Sequence, residues 1–178
     1  MPPLSRREFI RLVGGATVLS AYAPHYARCA DALSTSGVLV ETASFVKRGG
    51  WVLDTQFFQQ VGGCYLLAHG LGQAVADAST DFQLPTAGTW HVFVRTKNWC
   101  PGDWQAPGRF QVKINNTTLP TEFGTETGWT WQSGGSLELP AGKTEIALHD
   151  LTGFDGRCDA IYFSQESAPN LPTAAADL

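Results

Sequence analysis

The chain has 178 residues, with 12 Lys or Arg against 16 Asp or Glu, a formal net charge of −4 and 43% hydrophobic residues. That length and apolar content suit one folded domain with a real core. No basic stripe is present to grip phosphates, which excludes nucleic acid from the expected partners.

The first segment is a targeting signal. "SRREFIR" (residues 5–11) pairs arginines ahead of the short uncharged run "LVGGATVLSAYA" (12–23), and Ala30-Asp31-Ala32 offers a small-residue cleavage site. The apolar run falls short of the ~20 residues that span a bilayer, and twin arginines are the mark of the bacterial Tat route. Residues 1–32 are therefore expected to be a Tat-type signal peptide. The remainder is expected in the periplasm or outside the cell, with no membrane association after cleavage. The lost segment holds four arginines, one glutamate and one aspartate, so the rest is more acidic still. Cys64, Cys100 and Cys158 remain, which permits one disulfide and one thiol in an oxidising compartment. Cys100 and Cys158, both beside glycine-rich loops, are the preferred pair.

From Val38 onward short apolar or alternating runs are punctuated by Gly, Pro, Asn and Asp. They are "VLVETASF" (38–45), "WVLDTQFF" (51–58), "CYLLA" (64–68), "AVADASTDFQL" (74–84), "TWHVFVRTK" (89–97), "RFQVKI" (109–114), "TTLPTEF" (117–123), "SLEL" (136–139), "TEIALHDL" (144–151) and "CDAIYF" (158–163). Turn signals every 8–12 residues predict an all-β sandwich over residues 33–163. Asn115-Asn116 marks a hairpin, because asparagine tolerates positive φ. A helical turn is compatible with the ambiguous stretch from Phe57 to Ala78. Residues 164–178 are polar and proline-bearing and read as a linker-like tail.

Few motifs suggest catalysis, and no catalytic residue is assigned. "HGLGQA" (69–74) contains G-x-G, but no long helix follows to aim at a pyrophosphate, so it reads as a turn. His149-Asp150, with Asp155 and Asp159, forms an acidic cluster, yet neighbours on a strand point to opposite faces. A structural calcium is the better use of loop and strand carboxylates, with Glu41 on the first strand and Asp159 on the last as candidates. The six tryptophans say more. Trp90 sits on an alternating strand and belongs to the core. Trp99 and Trp104 lie in "NWCPGDWQAPGRF" (98–110), a loop by its proline and glycine, and Trp129 and Trp131 would share one face if extended. A flat indole suits the apolar C–H face of a sugar ring, while nearby polar groups satisfy its hydroxyl rim. The alternative is that these rings fold back over the core.

The order of pieces resembles the jelly-roll carbohydrate-binding modules of bacterial polysaccharide enzymes: "AGTWHVFVR", "LPAGKTEIAL" and "DAIYF" carry the likeness over residues 85–163. That resemblance implies a jelly-roll-type sandwich and places Glu41 and Asp159 where such modules hold calcium, although "ETAS" lacks their second acidic residue. A second likeness, over residues 41–163, rests on "GGWVLDTQF", "YLLAHGLG", "APGRFQV" and "LHDLTGFDGRCDAIYF". It is to the non-catalytic β-sandwich region attached to secreted bacterial FAD-dependent oxidoreductases. It implies an accessory or docking role beside a flavoenzyme domain; this chain alone has no flavin domain and is expected to bind no flavin. The resulting expectation is a non-catalytic carbohydrate binder. Trp99, Trp104, Trp129 and Trp131 are its stacking candidates, and Phe154, Asp155 and Arg157 are expected to face Trp99 and Trp104 across a shallow cleft.

Overall fold

The computed structural model describes residues 37–171, so the predicted signal peptide and the last seven residues of the predicted tail lie outside the described residues. Ten strands follow in order: β1 (Gly37–Glu41), β2 (Val52–Asp54), β3 (Tyr65–His69), β4 (Ala78–Leu84), β5 (Gly88–Thr96), β6 (Phe110–Ile114), β7 (Thr117–Thr118), β8 (Thr130–Leu139), β9 (Gly142–Asp150) and β10 (Phe154–Ser164). A 3₁₀ turn, Thr42–Ser44, follows β1, and one helical turn, α1 (Phe58–Val61), precedes β3.

The strands form two antiparallel sheets. One runs β2-β3-β10-β5-β8, with β1 also on β10; the other runs β4-β9-β6-β7. The period-2 pattern in β5 turns Trp90, Val92 and Val94 inward, where they meet Ile161 and Phe163 of β10 and, from the facing sheet, Val112, Ile146 and Leu148. Trp51 closes one side, its ring edge-on to Phe110 at 5.5 Å. Burial of each such ring contributes about 1.5–3 kcal/mol or more. The all-β sandwich expected from the turn spacing is the observed fold.

Boundaries differ where glycine carries a strand instead of breaking it. β8 starts at Thr130, six residues before "SLEL", because Gly134 and Gly135 sit opposite a register shift at Val92/Phe93. A Cβ on Gly134 would come within 2.8 Å of Leu119 Cδ1, so glycine lets the strand pass close over Leu119 and Phe123 without displacing them. β10 likewise begins at Phe154 and passes through a bulge at Phe154/Gly156. "WVLDTQFF" is not one strand but a three-residue edge strand followed by α1. Asn115 and Asn116 do take φ of 47° and 66°, as the hairpin signal requires.

The preferred disulfide does not form. Cys158 lies wholly buried in β10, opposite Thr96 and Leu66, while the Cys100 thiol sits on the loop 3.4 Å from Gly102 O and 3.6 Å from Trp104 O. Cys64, Cys100 and Cys158 are all free, and burial pushes the Cys158 thiol well up. Among the described residues no helix is long and apolar enough to cross a membrane.

Candidate functional site

The segment after β2 and the loop after β5 meet at one end of the sandwich around Arg157 of β10. The residue is only 1% exposed. Nη1 donates to Trp99 O at 2.7 Å and Asp155 O at 2.8 Å, and Thr96 Oγ1 donates to Arg157 O at 2.5 Å. The guanidinium lies over the Trp99 ring at 5.1 Å and the Phe57 ring at 5.7 Å. Trp129 packs edge-on against Tyr65 at 4.9 Å and Phe57 at 6.2 Å. The Tyr65 hydroxyl donates to the Asp54 carboxylate, and burial together with that carboxylate raises its pKa. Lys97 Nζ sits 4.6 Å from the Phe57 centroid, its pKa lowered by burial and by the Arg157 charge. This is a packed cation–aromatic cluster. Arg157, expected on an open cleft, is buried in it and Trp129 is half-buried there, because a buried guanidinium needs carbonyls and ring faces around it. Trp99 lays its ring against the guanidinium but stays 36% exposed.

Beside the cluster an aromatic surface does face solvent. Trp104 is 61% exposed and Phe154 41%, and their rings meet at 5.7 Å and 75°. They touch edge to face instead of opposing each other across a cleft. A hollow of about 180 Å³ lies against them, lined also by His69, Leu71, Cys100, Pro101 and Asp155. His69 Nδ1 and Asp155 Oδ1 are 2.5 Å apart, which fixes the imidazole and leaves Nε2 as its remaining polar edge. Asp155 reaches His69 from a left-handed backbone, φ 57°. Leu71 and Ala106, at φ 52° and 41°, share that strained region at the same end of the sandwich.

Asp150 sets the loops. Its buried carboxylate accepts from Val75 N at 2.9 Å, Gly153 N at 3.0 Å and Thr152 N at 3.2 Å. Gly153 O in turn accepts from Gly70 N at 2.9 Å and Gly72 N at 3.3 Å, joining the two loops. A Cβ on Gly72, which has φ 89°, would stand 3.0 Å from Phe154 Cζ, so the Phe154 ring lies directly on that glycine. "HGLGQA" is therefore a turn, and it builds one wall of the surface. His149 points to the other face, with Nδ1 2.8 Å from Asp77 Oδ1.

Trp131 stands apart from the exposed pair. It pairs with Arg95 on the sheet and packs against Tyr162 at 6.4 Å. Glu41 and Asp159 do come together, on a separate hollow of about 250 Å³ lined also by Ala43, Gly62, Gly63 and Cys64. Asp159 is 7% exposed and 3.1 Å from Arg95 Nη1. Burial raises its carboxyl to about 6 against the pull of Arg95, and the Glu41 charge adds to the rise. Arg95 already answers the Asp159 charge and its pull outweighs the Glu41 repulsion, so a hard cation here would meet a charge that is partly balanced. Among the described residues no group of three His, Cys, Asp or Glu side chains could hold a metal, so carbonyls and water would complete the shell.

Sequence reasoning missed His69, Leu71, Phe57 and Tyr65. A histidine next to a glycine turn was the available signal for the first two; nothing local marks Phe57 and Tyr65 as a cradle for Arg157.

No protein-family model matches the chain, and no curated protein matches its sequence. Solved structures do match. The GH26-CBM35 β-(1,4)-mannanase of Podospora anserina is 21% identical with a TM-score of 0.57, over 76% of this chain and 29% of that one. The chain thus spans less than a third of that enzyme. A family 35 carbohydrate binding module from Clostridium thermocellum is 17% identical with a TM-score of 0.56, over 71% of this chain and 96% of the module. The CBM36-1 domain of a multidomain xylanase, from the hindgut metagenome of Trinervitermes trinervoides, is 16% identical with a TM-score of 0.54, over 74% and 99%. The chain shares their β-sandwich fold.

The two loop tryptophans are expected to behave differently in thermal melts. Trp99→Ala removes the ring over Arg157 and should destabilise the protein by about 1–3 kcal/mol, whereas Trp104→Ala should stay within about 0.5 kcal/mol. Equal midpoints for the two variants would contradict the division into packed cluster and exposed surface.

Proposed function

We propose that this is an exported, non-catalytic carbohydrate-binding sandwich. The observation that carries the reading is the exposed Trp104–Phe154 pair beside the His69–Asp155 pair: apolar ring faces next to oriented donors and acceptors. The solved neighbours add weight through the binding modules and polysaccharide enzymes among them. The twin-arginine segment would carry the folded protein out of the cytoplasm.

A second placement, as the accessory domain of a secreted FAD-dependent oxidoreductase, draws on the sequence resemblance and on exposed apolar residues at one sheet edge. Val52 and Leu53 of edge strand β2 and Phe58 of α1 are exposed apolar residues that a docked flavoenzyme domain would cover.

Titration calorimetry with soluble β-1,4-mannan, xylan and laminarin tests the main reading. At least one polysaccharide should bind, and Trp104→Ala and Phe154→Ala should each weaken it by about 1–3 kcal/mol, the cost of losing an aromatic contact. Binding that survives both substitutions places the glycan elsewhere.

Calcium at Glu41 and Asp159 is proposed alongside. Binding to the native state alone raises the unfolding midpoint. With the Asp159 carboxyl at about 6, a proton displaces the ion below that pH, so the calcium-induced shift should be larger at pH 7 than at pH 5. A midpoint indifferent to calcium and chelator at pH 7 removes the ion from the account.

A further inference from the structure

Phe154 has a hollow on each side. The smaller, about 180 Å³, carries Trp104, His69 and Asp155; the larger, about 460 Å³, carries Gln105, Ala106, Arg109 and Thr152. Pro107 and Phe154 line both, so the two hollows share one wall and one ridge. We propose that together they form a single groove reading at least two consecutive rings of a sugar chain, with Gln105 and Arg109 as the second subsite. This inference rests on the carbohydrate-binding reading and goes further by naming the ligand as a chain of two or more units rather than a lone sugar.

Each hollow has the parts that one ring needs. The first offers the exposed indole of Trp104 and the polar edge of His69. The second offers the apolar wall of Ala106 and Pro107, with the Gln105 amide and the Arg109 guanidinium on its rim. Glu122 Oε2 takes one Arg109 N–H, from Nη1 at 2.8 Å; a guanidinium has five such donors in a fixed fork, which leaves others for hydroxyl oxygens. The smaller hollow is below the roughly 300–1,000 Å³ of drug-sized ligand pockets, so it suits one small ring. One ring gives few contacts against the entropy lost on binding, and a second ring adds contacts at little further cost.

The ridge and the wall are fixed to each other. Thr152 Oγ1 donates to Pro107 O, and Phe154 N donates to Thr152 Oγ1 at 3.3 Å, so both subsites keep one spacing. Ala106 adopts φ 41°, a left-handed conformation costly for a non-glycine residue, and that turn carries the chain from Gln105 to Pro107 along the second hollow. Spacing held this firmly favours a ligand whose rings repeat at a constant distance.

Calorimetry with mannose, its β-1,4-linked dimer and trimer, and the matching xylose series tests the inference on the full domain. In one of the two series, affinity should rise at least tenfold from one unit to two. Arg109→Ala and Gln105→Ala should each remove most of that gain and keep the wild-type melting midpoint; Trp104→Ala should weaken both lengths. Equal affinity for one and two units, or a wild-type dimer gain in both second-subsite variants, overturns the two-ring groove while the carbohydrate reading stands. Failure of every oligomer and of the parent polysaccharides to bind overturns both.

Discussion

The buried Arg157 guanidinium is the constraint from which the loop end takes its shape. A cation removed from water must find replacements for its hydration, and here they are the Trp99 and Asp155 carbonyls and the faces of Trp99 and Phe57. Asp155 Oδ2 stands 3.7 Å from Nη2, so the carboxylate supports the charge while its other oxygen holds His69. The arginine therefore fixes three things at once: the start of the 97–109 loop, the left-handed turn at Asp155, and the aromatic cradle of Phe57, Tyr65 and Trp129. Trp104 projects from a loop whose root is tied down, and Phe154 precedes a residue whose carbonyl is tied down.

A second, independent tie comes from Asp150. Its carboxylate binds three backbone N–H groups across two loops and sets Gly153, on which Gly70 and Gly72 dock. The Phe154 ring thus stands on a loop tied at several backbone N–H groups, and Thr152 Oγ1 ties that loop to Pro107 O in the Trp104 loop. Such a surface loses little conformational freedom when a ligand arrives, which is how an open, shallow site gains affinity without enclosing its ligand. Strained φ values at Leu71, Ala106 and Asp155 are tolerated because these ties over-determine the backbone.

The sandwich was legible in the sequence because alternation and turn chemistry are local: "TWHVFVRT" buries Trp90, Val92 and Val94 as a period of two dictates, and Asn115-Asn116 turns as asparagine allows. Glycine misled at β8 and β10, where a missing Cβ permits close packing or a bulge and does not end the strand. The site was legible in part. Proline and glycine marked the loop of Trp104, and the aspartate-glycine turn marked Phe154 and Asp155. Composition could not say that Trp99, in the same loop, leans on the guanidinium of Arg157, 58 residues later in the chain. The Cys100–Cys158 pairing failed for a related reason: a residue beside a glycine-rich loop in sequence can lie at the centre of a strand in space.

Amide hydrogen exchange on Arg157→Lys tests the organising role of the guanidinium most directly. Lysine keeps the charge and much of the length but loses the planar fork and its stacking on aromatic faces. Exchange should quicken at residues 98–104 and 154–156, while the amides of β6 and β9 keep their protection. Unchanged protection in both loops would contradict the claim that Arg157 holds them in place.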